Sequence, residues 1–208
     1  IQALAHMQRI LQYGKYAAKY GDTGSVMMCD DAETLKFIEK IIKAAVKPFR
    51  SKRVHIGMDE AWDLGRGAFL TKHGHVKPFD IMTKHLNKVM EITRRLGLKP
   101  MIWSDMFFRA LSKRHDYYDT SIEVSDKMRR QIPKDVDLVY WDYYHDKESD
   151  YTAMLDKHVE MGQTPIIAPA AWAWNRFWVC HGHSRRTITP CIKSCLRNGV
   201  REMIITIW

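Results

Sequence analysis

Apolar positions along the chain recur with two alternating periods. "TLKFIEKIIKAAVKPF" (34–49) places them at helical spacing, follows the capping-type residues Asp30 and Asp31, and stops at a proline. "RVHIGM" comes next as a short apolar run with β-branched residues. "DIMTKHLNKVMEITRRLG" (80–97) is again amphipathic, opening on Asp80 and closing on Gly97, where a helix-ending glycine belongs. "KPMIWSDM" predicts a strand, "SDKMRRQIP" a short helix and "VDLVYWDYY" (136–144) a strand. "DYTAMLDKHVEMG" (150–162) predicts a helix, "TPIIAPAAWAW" (164–174) a strand, "TITPCIKSCLRNG" (187–199) a helix and "VREMIITIW" (200–208) a strand. Helix and strand thus alternate five times with short connections before each strand, the pattern of parallel βα units.

The segments after the strands narrow the fold class. None carries Gly-x-Gly-x-x-Gly or a phosphate loop, which disfavours a nucleotide-binding doubly wound sheet. Instead "MDEAWDLGRG", "SDMFFRA", "DYYHDKE" and "WAWNRFWVCHGHS" are polar, acidic and aromatic. A (β/α)8 barrel builds its active site from the loops at the C-terminal ends of its strands. The opening "IQALAH" reads as the end of one more strand. The expectation is an α/β chain, a (β/α)8 barrel present as a fragment that lacks its first strands and its last helix.

Composition removes some function classes. A hydrophobic share of 46% and an aromatic share of 11% suit a globular core. No run approaches the roughly 20 apolar residues of a membrane span, so no membrane partner is expected. The net charge of +9 is scattered, and its densest clusters, "RSKR" (50–53) and "HSRR" (183–186), are short. That pattern predicts a solvated basic surface and no nucleic-acid partner. Cys29, Cys180, Cys191 and Cys195 form no Cys-x-x-Cys pair, which predicts free thiols in a reducing, cytoplasmic setting. "KHGH" (72–75) and "CHGH" (180–183) lack a matching second pair of ligands, so neither a metal nor a cofactor is expected.

The candidate chemistry is concentrated in "RVHIGMDEAWDLGRG", where Asp59 and Glu60 stand side by side as an apolar strand runs out. Residues just past a barrel strand reach the barrel mouth, and a turn there can aim both carboxyls at one substrate. Adjacent acids seldom flank a glycosidic bond as nucleophile and acid. A division of labour suits them better, with one carboxyl donating a proton while the other orients or stabilises a substrate group. Adjacency alone fits equally well the acidic first turn of a helix. The tryptophans favour the chemical reading. Trp103, Trp141, Trp172, Trp174 and Trp208 all fall at strand ends, and sugar rings stack their C–H faces on indoles.

With these residues in place, "HIGMDEA" resembles the signature of family 20 glycoside hydrolases, the β-N-acetylhexosaminidases. "IQALAHM" is similar to the family's third strand, "PMIWSDMF" to its fifth, "VYWDYYH" to its sixth, "AAWAWNRF" to its seventh and the terminal "TIW" to its eighth. The pattern runs through essentially the whole chain and looks nearest to the short hexosaminidase D-like branch. The resemblance implies that residues 1–208 are a single catalytic barrel domain, truncated at both ends. It implies a retaining exo-β-N-acetylhexosaminidase that removes terminal GlcNAc or GalNAc from β-linked glycans or glycoconjugates. In this family's substrate-assisted mechanism the 2-acetamido oxygen attacks the anomeric carbon and forms an oxazolinium intermediate. Glu60 would then be the acid and later the base, and Asp59 would bind and orient the acetamido N–H. Tyr140 matches the tyrosine on the acetamido oxygen, with Tyr143 a rival register, and Asp142 matches an acid on sugar hydroxyls. Trp103, Trp172 and Trp208 would wall the pocket, Trp174 would line its rim, and His6 would stand beside the acids. His55 is expected in the barrel interior as a structural hydrogen-bonder. The family's first-strand arginine and the Gly-Asp after its last tryptophan have no counterpart in these 208 residues. Two other readings remain: a metal-dependent barrel enzyme recruiting Asp105 and Asp142, and a non-catalytic carbohydrate-binding barrel.

Overall fold

The computed structural model describes residues 1–174 and 177–207. They form two compact units, Ile1–Asp137 and Leu138–Trp208. Every named strand pair is parallel.

The first unit contains α1 (Gln8–Leu11), α2 (Gly14–Tyr20), α3 (Ala32–Val46), β1 (Arg53–His55), α4 (Ala68–His73), α5 (Pro78–Arg95), β2 (Lys99–Trp103), α6 (Asp105–Leu111) and α7 (Asp126–Gln131). α3 begins where its cap dictates. The Asp31 carboxylate accepts the amides of Glu33 and Thr34 at 3.0 and 2.9 Å, a cap that contributes about 1 kcal/mol. The helix buries Thr34, Ile38 and Ile42, one residue per turn along one face. α5 starts with Pro78, whose missing N–H costs nothing at that position. It buries ten side chains, more than a single stripe, and so forms the spine of the unit. β1 and β2 pair with Val54 opposite Pro100. Their ladder runs on past β1, where Ile56 donates to the Met101 carbonyl at 2.8 Å and Trp103 to the Gly57 carbonyl at 3.2 Å.

The opening "IQALAH" forms no named strand. Its backbone nonetheless runs beside the end of β1. The Ala3 amide donates to the Ile56 carbonyl at 3.0 Å, and the Leu4 carbonyl accepts from Met27 at 2.9 Å. Ala3, Leu4 and Ala5 are buried. His85, buried on α5, holds the Ala3 carbonyl through Nε2 at 2.9 Å.

The second unit holds β3 (Asp137–Trp141), whose first residue closes the first unit, then α8 (Glu148–Met161), β4 (Ile166–Ala168), β5 (Ala170–Ala171), α9 (His181–Arg197) and β6 (Thr206–Ile207). Leu138 through Trp141 are all buried, as the strands of a parallel sheet covered on both faces are. β3 pairs with β4 and β5 with β6. The run 164–174, read as one strand, breaks into two at Pro169, which has no N–H for a ladder. Among the described residues, the run 200–208 pairs at Thr206–Ile207 and through one bridge at Met203. α9 begins six residues before the expected Thr187 and carries Pro190 inside.

Candidate active site

The acid loop takes its shape from unusual backbone. Gly57, Met58 and Glu60 all have positive φ (72°, 74° and 50°), and so does His6 across from them (56°). Each non-glycine in this region costs roughly 1–2 kcal/mol, so surrounding contacts must hold it. A Cβ on Gly57 would stand 2.2 Å from Gln2 Oε1, so only glycine fits. Gln2 Oε1 accepts the Met58 amide at 3.0 Å. Asp105, at the start of α6, accepts the Glu60 amide through Oδ2 at 3.0 Å. The glycine-rich continuation is clasped by Asp22, whose carboxylate accepts from Gly65, Gly67 and Phe69 at 2.8, 3.1 and 2.8 Å. Gly67 is obligatory too, because a Cβ there would lie 2.0 Å from the Asp22 carbonyl oxygen.

Within this frame His6, Asp59 and Glu60 meet. His6 Nε2 lies 3.2 Å from Asp59 Oδ2 and 3.5 Å from Glu60 Oε2. Gln2 Nε2 donates to Asp59 Oδ1 at 2.8 Å. The side chains of Asp59 and Glu60 remain 17% and 29% exposed, enough for a ligand to reach them. Burial raises the Glu60 carboxyl above the ordinary glutamate value. His6 and Arg109 oppose this with positive charge, and Asp59 reinforces it. The group therefore keeps its proton at higher pH than a solvated glutamate, as a general acid must. The three ligand-type atoms lie within 4.8 Å of one another, a spacing that a cation would also accept.

Around them, Trp103 ends β2 half-buried against His55, with ring centroids 4.2 Å apart. His55 Nδ1 accepts the Gly57 amide at 3.1 Å, which places any ring proton on Nε2. Burial depresses its pKa to about 4, so the ring is neutral. This is the structural role expected of it. Trp62, 58% exposed, sits two residues past Glu60 and donates its indole N–H to the Tyr117 hydroxyl. The Arg109 guanidinium lies 5.4 Å from the Tyr117 ring centre.

The second unit gathers the other predicted residues into a different arrangement. Strand alternation puts Tyr140 and Asp142 on one face, where the Tyr140 ring lies 6.5 Å from Tyr151 and 5.2 Å from His158 of α8. Both residues are closed to solvent, at 2% and 1% exposure. The Asp142 carboxylate accepts four hydrogen bonds: the Tyr140 hydroxyl at 2.5 Å, His145 Nδ1 at 2.7 Å, and the amides of Tyr144 and His145 at 3.0 and 3.2 Å. Tyr143 takes the other direction. Its ring meets Trp174 edge-on at 5.3 Å and Trp172 at 6.5 Å, and the two indoles lie 4.2 Å apart. His183 Nε2 bonds the Tyr143 carbonyl at 2.7 Å. Trp208 lies outside the described residues.

Sequence reasoning missed Gln2, Asp22 and the Trp62–Tyr117–Arg109 group. Each acts across long sequence separation, and no local period marks it. Asp105, considered as a metal ligand, instead receives a backbone amide. Among the described residues the His/Asp/Glu grouping forms at His6, Asp59 and Glu60 and not at "KHGH" or "CHGH".

Residues 3–172 match the catalytic domain of glycosyl hydrolase family 20. The chain is 24% identical over 216 residues to human hexosaminidase D, an alignment covering 97% of the chain and 39% of that protein. It thus spans about two fifths of the length of that relative. A β-N-acetylhexosaminidase from Bacteroides fragilis is similar in structure, with a TM-score of 0.54 at 16% identity over 84% of this chain and 31% of that one. Catalytic domains of the matched family are (β/α)8 barrels, and this chain is an α/β piece of one.

Proposed function

Because the chain belongs to glycosyl hydrolase family 20, we propose that it carries the acid–base machinery of a retaining exo-β-N-acetylhexosaminidase. The substrates are glycans or glycoconjugates ending in β-linked GlcNAc or GalNAc. The observation that carries the reading is the pairing of a partly exposed Glu60, its proton affinity raised by burial, with an Asp59 held beside it by Gln2 and His6.

Glu60 protonates the leaving glycosidic oxygen and later takes a proton from water. Asp59 accepts the acetamido N–H and stabilises the charge that develops there, while the acetamido oxygen attacks the anomeric carbon. The nucleophile belongs to the sugar, so no opposed carboxylate is required and the two acids can be sequence neighbours. Trp103 offers a wall for the sugar. By resemblance to the family the acetamido oxygen falls to Tyr140, with Tyr143 the rival register; within the second unit the Tyr143 ring lies beside Trp172 and Trp174. Tyr140 and Asp142 are committed to each other, and in our reading they brace the turn that carries Tyr143. Trp208 keeps the wall role that the resemblance gives it.

The test is hydrolysis by the full-length protein of 4-nitrophenyl β-N-acetylglucosaminide and β-N-acetylgalactosaminide, with the plain β-glucoside alongside. Cleavage of N-acetyl sugars alone supports substrate assistance, and equal cleavage of the glucoside, which has no acetamido nucleophile, removes it. The spacing of His6, Asp59 and Glu60 also favours a second reading, a cation-dependent enzyme. Against that, the Gln2 N–H, a positive dipole end, is aimed at Asp59 Oδ1. Activity retained after exhaustive dialysis against a chelator is expected, and its loss with recovery on adding a divalent cation would establish the second reading.

A further inference from the structure

We infer that Gln2 is a positioning residue that fixes the rotation of the Asp59 carboxyl, with Oδ1 held as an acceptor and Oδ2 turned toward the substrate side. This rests on the proposed function for its consequence, though not for its geometry. The Gln2 amide is anchored at both ends: Oε1 accepts the Met58 N–H at 3.0 Å, and Nε2 donates to Asp59 Oδ1 at 2.8 Å. The first bond decides the second. A backbone N–H can only donate, so the amide oxygen must face Met58 and the NH2 must face Asp59. An NH2 cannot accept a proton, so a proton on Asp59 Oδ1 would meet another donor. Oδ1 is therefore kept as the proton-free, accepting oxygen of the carboxyl, and any proton the group takes must sit on Oδ2.

Gln2 also sets direction. With Oδ1 taken, the oxygen left to accept a substrate N–H is Oδ2, the one His6 Nε2 approaches at 3.2 Å. One side chain therefore fixes both the left-handed Met58 backbone and the rotation of the Asp59 carboxyl. The charged groups facing Asp59 are His6 and Glu60, with Arg109 and Asp105 of α6 beyond Glu60. Gln2 is the contact among these that discriminates by hydrogen-bond polarity rather than by charge.

The test compares two variants in the full-length protein. Gln2→Glu keeps the shape and the acceptor for Met58 but sets a carboxyl against Asp59 Oδ1. Two carboxyls at that distance share a proton into the neutral range. The acid limb of kcat/KM is expected to move up by at least about one pH unit. Gln2→Met fills similar volume with neither donor nor acceptor, and is expected to lower kcat/KM about tenfold without moving the limb. Thermal melts of both variants verify folding. Equal losses with the same unmoved limb in both variants would reduce Gln2 to a packing residue and overturn the inference. If the wild type cleaves no N-acetyl sugar, the hydrolase reading fails on its own. The pH dependence of GlcNAc binding by calorimetry then decides, with a shift in Gln2→Glu alone supporting the inference. An absence of GlcNAc binding at every pH would overturn it together with that reading.

Discussion

Asp59 and Asp142 each stand just beyond a parallel strand, one in each unit, and they have opposite fates. Asp142 is 1% exposed and accepts four hydrogen bonds from its own turn and strand. Its oxygens are turned into its own turn and strand, away from solvent. Asp59 and its neighbour Glu60 keep partly exposed side chains, and among the described residues the Glu60 carboxyl has its ion-pair contact with His6 at 3.5 Å. What makes an acid available for chemistry here is the incompleteness of its hydrogen bonding, together with a strained backbone that presents it. The first unit tolerates three left-handed non-glycine residues around the acids, His6, Met58 and Glu60. Among the described residues of the second unit there are none.

Four measurements would break or sharpen this contrast. The largest effect is expected from Glu60→Gln, which keeps shape and removes the proton. kcat/KM should fall about 1,000-fold, equivalent to about 4 kcal/mol, with the melting temperature essentially unmoved. A large drop in melting temperature would make Glu60 structural like Asp142. Next comes Asp142→Ala, which strands a buried hydroxyl, a ring nitrogen and two amides. Urea unfolding should show a loss of about 3 kcal/mol, and an unchanged midpoint would contradict the closed description of that corner.

The third measurement uses pH. His158, fully buried on α8, has its pKa depressed by burial to about 4. An unfolded histidine titrates near 6.5, so the unfolded chain binds more protons between these values. Stability from keeping this ring neutral is complete above about pH 6.5 and is lost as pH falls toward 4, by about 3 kcal/mol. His158→Gln should flatten that part of the pH profile, and a profile as steep as the wild type would assign it to other groups. The smallest effect is expected from Arg109→Met. Its charge lowers the Glu60 carboxyl, so removing it should move the basic limb of kcat/KM upward, with less than about a threefold change in the maximum. A limb that moves down would reverse the sign of that interaction.

Much of this was legible in the sequence where local physics decides. α3 was expected to begin after Asp30 and Asp31, and Asp31 caps it. Gly97 and Gly162 were expected to follow helices and have the positive φ of helix-ending glycines. The short helices α1, α2, α4 and α6 left too few turns for a period to be read. α9 was read to begin at Thr187, whereas it begins at His181. At the site, adjacency revealed Asp59 and Glu60. Alternation placed Tyr140 and Asp142 on one face, but a period of two does not say which face meets a helix. The contacts that shape the acid loop, from Gln2, Asp22 and Asp105, lie 57, 43 to 47 and 45 residues from their partners, beyond any local pattern.

Those separations have a consequence for how the molecule comes to life. Gln2 and His6 reach Asp59 only after the intervening chain, including all of α3, has folded back on itself. Closing a loop of that length demands entropy before any contact rewards it, so the clasp belongs among the later events of folding. A nascent or half-folded chain would already possess both acids, yet without their pins the left-handed turn would relax and the carboxylates would drift apart. Catalytic competence in this loop would then serve as a report of completed folding, and the chain would stay silent until the segment carrying Gln2 and His6 had docked.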